Sequence, residues 1–282
     1  MPFSTSDGVR LWTATTGTTS TEPARPPVVI LHGGPGLWDD YEVLAEMLDD
    51  LTVVHRFDQR GCGRSGPSDT QTMDRLAQDI DELRAYFGHE RIVVLGHSFG
   101  ASLAMTYAAA YGDHVAGLVY LDGVGVGDWR TAYHEERARR ITPEQDARLE
   151  DLSGRPRTPG EEIEFRALSW FTDHADSGRA MEWAYASASV DLPINFAANR
   201  ALGATGRKTH DELKALAATI QAPVTFVHGA GDPRPAWAVR DLADHVPNHT
   251  FHLIPAAGHS PWLEQPDLVR EVLRSALDRS QF

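Results

Sequence analysis

Three features of the sequence predict an α/β fold with a mostly parallel central sheet, helices on both faces and a helical insertion. Short β-branched runs alternate with segments of helical spacing. These runs are apolar at consecutive rather than alternate residues, as strands covered on both faces are. The alternation stops between about Gly123 and Ala218 and then resumes, so residues 1–122 and 219–282 read as the core and residues 123–218 as an inserted cap.

In order, Thr13 to Pro27 is rich in threonine and proline and reads as a loop between edge elements. Val28 to Leu31 is a β-branched run, Asp40 to Leu48 has helical spacing, and Thr52 to Phe57 is a strand. Met73 to Phe87 is helical, Arg91 to Leu95 a strand, Ser98 to Tyr111 a helix and Val115 to Leu121 a strand. Pro223 to Val227 and Thr250 to Ile254 are strands flanking a helix over Pro235 to His245, and Asp267 to Leu277 closes the pattern as a helix. Within the insertion, Glu135-Glu136-Arg137 and Glu161-Glu162-Ile163-Glu164 read as solvated helix faces, and Trp129, Trp170, Phe171, Trp183 and Tyr185 as packing between insertion and core.

Composition narrows the function. A chain of 282 residues with 41% hydrophobic content is long enough to bury a substantial core. Its net charge of −14 argues against nucleic acid and anionic membranes, both of which reward basic patches. The single cysteine, Cys62, leaves no intrachain disulfide and no cysteine-rich zinc site. Residues 1 to 20 hold no apolar leader segment and no run is long enough to span a bilayer, so the expected location is cytoplasmic.

The sharpest signal is Gly96-His97-Ser98-Phe99-Gly100, between a β-branched run and an alanine-rich helix. It matches G-x-S-x-G, in which a strained turn pushes a serine hydroxyl clear of the backbone and its neighbours two residues away must lack bulk. The following helix aims its first free N–H groups, and the positive end of its dipole, at whatever sits over Ser98. Chance strand-to-helix turns share the pentapeptide, but the flanking strand and helix favour a nucleophile. His97 should point away from Ser98, since neighbouring side chains on the turn diverge.

His32-Gly33-Gly34-Pro35-Gly36 follows the first core strand. Pro35 cannot donate, so Gly34 is the usable amide; with the Phe99 N–H it would form a two-donor oxyanion hole. His32 reads as a loop anchor. The base is expected at His259, in Ala256-Ala257-Gly258-His259-Ser260 before the last helix, and the orienting acid at Asp232, after the preceding strand. Asp122, one strand earlier, is its rival. Gly61 to Gly66 spells G-x-G-x-x-G, yet Pro67-Ser68-Asp69-Thr70 follows where a phosphate-binding helix should open, so a dinucleotide site is rejected. Cys62 has no histidine at a suggestive spacing, and His249 and His252 fall on opposite faces of a strand, so neither a thiol nucleophile nor a metal site is expected.

With these motifs the chain resembles the α/β-hydrolases, and His32-Gly33-Gly34-Pro35-Gly36 with Asp58-Gln59-Arg60-Gly61-Cys62-Gly63-Arg64-Ser65 resembles their proline iminopeptidase group. The resemblance covers roughly 1 to 122 and 219 to 282. It implies that Ser98 is the nucleophile, His259 the base, Asp232 the acid, and Gly34 and Phe99 the oxyanion donors, with no cofactor. It also implies a small-molecule or short-peptide substrate bound by the insertion. In peptidases of that group, cap glutamates bind the free amino terminus. Here the comparable stretch, Asp191-Leu192-Pro193-Ile194-Asn195-Phe196, has no glutamate. The expected reaction is hydrolysis of an ester or amide through an acyl-enzyme. Two alternatives remain: a lyase or cyclase using the same triad, and a ligand-binding protein on a hydrolase scaffold. The substrate's identity and the oligomeric state are not written in the sequence.

Overall fold

The computed structural model describes residues 3–18, 25–205 and 208–280. Strands β1 (Phe3–Ser4) and β2 (Arg10–Leu11) form a small antiparallel ribbon. The main sheet comprises β3 (Thr13–Thr16), β4 (Val28–Leu31), β5 (Val54–Phe57), β6 (Ile92–His97), β7 (Val115–Leu121), β8 (Val224–Gly229) and β9 (His249–Ile254). Its spatial order is β3-β5-β4-β6-β7-β8-β9, with only β3 antiparallel to its neighbour.

The helices are α1 (Glu42–Glu46), α2 (Met73–Tyr86), α3 (Phe99–Ala110), α4 (Trp129–Arg140), α5 (Pro143–Ser153), α6 (Pro159–Trp170), α7 (Ala180–Ala188), α8 (Phe196–Thr205), α9 (His210–Thr219), α10 (Ala236–Ala243), α11 (Pro261–Glu264) and α12 (Pro266–Arg279). β4, β6 and β7 are buried at every residue because helices cover both faces. Val29, Leu31, Val94 and Tyr120 join α2, α3, α9 and α10 in one core cluster, whereas Val28, Ile30, Val93 and Leu121 join α1 and α12 in the other. None of the described helices is long and apolar enough to cross a membrane.

Several expectations change. Thr13 to Thr16 is an edge strand rather than loop: its threonines pair with β5, Thr13 opposite Phe57 and Thr16 opposite Val54. Residues 19–24 of that stretch lie outside those described. The ribbon β1–β2 was not foreseen, since two-residue strands carry no periodicity. The glutamate runs are ion-paired rather than simply solvated: Arg148 and Arg155 clamp Glu164 and Glu161 across α5 and α6, and Glu162 holds Arg157 and Arg166.

α5, α6 and α9 each begin with a capping box, at Thr142/Gln145, Thr158/Glu161 and Thr209/Glu212, which satisfies their first free amides. α5 to α7 pack around a cluster of their own, including Leu152, Ala167, Phe171 and Ala184, while Leu213, Leu216 and Ala217 of α9 pack on the core. Tyr185, expected to pack, is 43% exposed.

The strand order reverses its direction of growth between β4 and β6. Loops leaving those two strands therefore diverge to opposite sides and open a crevice at the carboxyl edge, where open α/β sheets bind ligands. Gly34 follows β4 and Ser98 follows β6.

Candidate active site

Ser98 bridges β6 and α3 with φ 56° and ψ −118°, an outlying conformation for a residue with a side chain. The local sequence permits it: a Cβ at Gly96 would overlap the Gly100 carbonyl, and one at Gly100 would overlap that of Leu31. A cavity of about 400 Å³ lies over Ser98, walled by Gly33, Gly34, His97 and His259 from the core and by Tyr133, Trp170 and Asp173 from the inserted segment. Trp170 thus faces the cavity rather than only packing, and Trp38 meets it edge-on at 6.5 Å between ring centroids.

His259 is placed by its loop. Its backbone N–H donates to the Asp173 carbonyl at 2.8 Å, and its Nδ1 lies 2.6 Å from Asp232 Oδ2. Asp232 Oδ1 accepts the Arg234 amide at 2.8 Å and its guanidinium at 3.2 Å. Burial pushes the Asp232 carboxyl up, but the His259 and Arg234 beside it outweigh burial and hold it well below the usual carboxylate range. Arg234 also pairs with Asp173 at 3.0 Å and lies over the Tyr133 ring, so it ties the inserted segment to the Asp232 loop.

The two acids expected as rivals sit side by side with different partners. Asp122, at φ 43°, turns its Oδ1 onto the Gly229 amide at 2.8 Å and makes no hydrogen bond to His259. Asp232 alone of the two bonds the imidazole.

His97 borders the same cavity and meets the His259 ring at 4.7 Å between centroids. Its Nε2 faces the His259 carbonyl at 2.7 Å, an acceptor, so that nitrogen carries the proton and Nδ1 accepts from the Tyr41 hydroxyl at 2.7 Å. Tyr41 in turn accepts the Gly33 amide at 3.1 Å. Burial holds His97 well below the ordinary histidine value, and with both ring nitrogens engaged it is a neutral brace between the Gly33 turn and the His259 loop. Because Gly33 is engaged, Gly34 is the next amide of that turn, and Phe99 opens α3 where no preceding turn can take its N–H. His32 lies behind the turn, with Nδ1 on the Gly33 carbonyl and Nε2 accepting from Gln59 N–H.

Sequence reasoning missed Tyr41, Arg234, Asp173 and Glu264. Glu264 collects the amides of Gly258, Ala175 and Asp176, fastening the His259 loop to the insertion. Only Arg234, two residues from Asp232, stood near a motif. In the stretch Asp191 to Phe196, Asn195 bridges the carbonyls of Gly36 and Gly61 through its own N–H groups. Among the described residues Asp122, His228 and Asp232 converge closely enough to hold a metal ion. Yet both Asp232 oxygens are occupied, and the Arg234 guanidinium beside them would repel a cation.

This fold and site define a class. The model of the alpha/beta hydrolase fold matches residues 26–266, and the chain belongs to that family. Within it the chain is similar to proline iminopeptidases. It is 43% identical to that of Saccharolobus solfataricus over 102 residues, 34% of this chain and 33% of that protein, so the match spans about a third of the relative. It is 26% identical over 271 residues to a proline iminopeptidase of Pestalotiopsis fici, covering 90% of this chain and 92% of that one. A thermophilic esterase from Thermogutta terrifontis superposes with a TM-score of 0.73 at 25% identity, over 99% of this chain and 97% of the other.

Proposed function

We propose that this hydrolase cleaves an ester or amide bond of a small molecule or short peptide through an acyl-enzyme on Ser98. The observation that carries the reading is the meeting, in one cavity, of a strained serine and a histidine whose far nitrogen is bonded to a buried carboxylate. His259 Nε2 takes the Ser98 proton as Oγ attacks the carbonyl carbon. Asp232 holds the tautomer with the proton on Nδ1 and stabilises the imidazolium that forms. The Gly34 and Phe99 N–H groups receive the tetrahedral oxyanion, and His259 then protonates the leaving alcohol or amine. Water repeats the sequence on the acyl-enzyme, and the acid leaves. The inserted helices α4 to α8 act as a cap over the strand ends.

One observation favours an amine-bearing substrate of the iminopeptidase kind. Asp40 borders the cavity, and its carboxyl makes no hydrogen bond or ion pair to another side chain among the described residues. Asp40 is itself exposed to solvent at the rim of that cavity, so its carboxylate is open to a cationic group of a bound substrate. Asp40 thereby supplies a carboxylate at the cavity, where the Asp191 to Phe196 stretch has no glutamate.

The test is a panel of p-nitrophenyl esters of graded chain length beside proline and alanine arylamides, run with Ser98→Ala as control. Turnover by the parent with a stoichiometric burst, and none by the variant, is the expected result. A variant as active as the parent eliminates the mechanism. Arylamide cleavage selects the aminopeptidase form, and ester-only turnover selects an esterase.

A further inference from the structure

Behind Asp232 lies a buried cluster that the mechanism above does not use. Asp122 and His228 are wholly buried at the ends of β7 and β8, and one oxygen of each acid and a ring nitrogen of His228 lie within 4.8 Å of one another. The occupied valences can be counted. Asp232 accepts from His259 through one oxygen and from Arg234 through the other. Asp122 Oδ1 accepts the Gly229 amide. His228 Nε2 faces the Arg234 carbonyl at 2.8 Å and so carries the ring proton, which makes Nδ1 an acceptor.

Two atoms remain buried with no partner, Asp122 Oδ2 and His228 Nδ1. With both acids ionised, every group facing the interior of the cluster would be an acceptor, and two carboxylates would abut in a dry site. One extra proton is required, and there are two places for it. On His228 Nδ1 it would reach Asp122 Oδ1 only across 3.5 Å, too long for a good hydrogen bond, and would leave the two carboxylates facing each other. On Asp122 Oδ2 it removes that repulsion and provides the missing donor.

We propose that Asp122 is a neutral carboxylic acid that donates a hydrogen bond from Oδ2 to Asp232, making it a positioning residue that sets how strongly Asp232 raises the basicity of His259. The inference rests on the reading of His259 and Asp232 as base and acid. Burial and the neighbouring Asp232 charge both push the Asp122 carboxyl up, in the same sense as the valence count. A donor on Asp232 spreads its negative charge and weakens its hold on the imidazolium. Asp122 thus keeps His259 deprotonated further into the acidic range than Asp232 alone would allow.

The experiment compares pH profiles of kcat/KM on one neutral p-nitrophenyl ester for the parent, Asp122→Asn and Asp122→Leu, with Asp232→Asn as reference. Asparagine keeps a neutral donor, so its acidic limb should coincide with the parent's and its rate should stay within a few-fold. Leucine removes the donor, and its acidic limb should move up by about one pH unit, the scale of one hydrogen bond to a charged group. An asparagine limb displaced to lower pH would make Asp122 an anion and overturn the proposal, as would two variants that both match the parent. A collapse of Asp122→Asn as deep as that of Asp232→Asn would make Asp122 the orienting acid, overturning both the proposal and the triad assignment. Should the leucine variant fail to fold, infrared difference spectra at pH 8 decide: the parent should show a protonated-carboxyl band missing from Asp122→Asn, and its absence in the parent overturns the proposal.

Discussion

Two glycine-rich loops leave adjacent strands on the same edge of the sheet. One, His32 to Gly36, follows β4; the other, Asp58 to Gly66, follows β5. By composition the second is the richer in chemistry, with two arginines, an aspartate, a cysteine and a dinucleotide-like glycine spacing. Its capacity is nevertheless spent inside the protein. Asp58 accepts the amides of Asp39 and Arg64 and the Arg64 guanidinium, Gly61 and Gly66 donate to backbone carbonyls, and wholly buried Arg60 forks onto Asp79 at 2.6 and 2.7 Å and onto Asp7 at 2.9 and 3.0 Å. The first loop has its histidine and Gly33 bound, and presents Gly34 to the cavity that holds Ser98. A loop acts on a ligand through the donors it has left over, so under the proposed reaction it is the poorer loop that serves the substrate.

The sharpest way to break this contrast is at the cavity. Ser98→Ala should lower kcat on an activated ester by roughly 10⁶-fold, the scale of losing a triad nucleophile, while the melting temperature stays put. A loss under tenfold would place the chemistry elsewhere. The second loop should fail in the opposite manner. Arg60→Ala removes one of the two guanidinium groups on buried Asp79, which Arg75 still holds at 2.6 Å, and chemical denaturation should register a loss of about 1.5–3 kcal/mol, the scale of hydrogen bonds to a charged group. Turnover per phosphonate-titrated site should hold within a few-fold at temperatures where the variant remains folded; a specific fall in turnover would give that loop a catalytic part.

A smaller effect concerns the Asp40 carboxylate at the cavity rim. Asp40→Asn should reduce kcat/KM for amine-bearing substrates by about 5-fold, as loss of a partly screened charge pair does, and leave neutral esters unaffected. In the parent, the ratio of amine-substrate to ester kcat/KM should fall in acid as the Asp40 carboxyl is protonated, because the neutral form releases the cation. A ratio that is flat with pH removes Asp40 from recognition. The smallest effect expected is none at all: burial, then the nearby Asp58, pushes the Cys62 thiol up to about 12, so thiol reagents should leave activity intact over the time that an exposed cysteine reacts. Rapid inactivation would show that the second loop opens in solution.

Strand existence was readable wherever both faces of a strand are covered, as in β4, β6 and β7, because consecutive apolar residues say so without any knowledge of neighbours. β3 was not readable. Its threonines belong to the sheet only through pairing with β5, whose residues lie between 38 positions away in the chain, for Thr16 and Val54, and 44, for Thr13 and Phe57. The capping boxes of α5, α6 and α9 fix where those helices begin but carry no information about where they pack. Likewise Trp170 and Tyr185 look alike as aromatics in a helical insertion, yet one borders the cavity and the other is exposed.

The elbow was determined by sequence alone, because its requirement is steric and local: a serine held at positive φ needs hydrogen in place of side chains at Gly96 and Gly100, and those residues are its near neighbours. The identity of the acid bonded to His259 was decided only by tertiary structure. Asp122 and Asp232 both follow core strands and both approach the same edge. Which of them meets the imidazole depends on how the loop after β8 is folded back by Arg234 and Asp173, and on the Gly229 amide that turns Asp122 aside. Contacts of that kind join residues distant in the chain, and spacing along a sequence does not encode them.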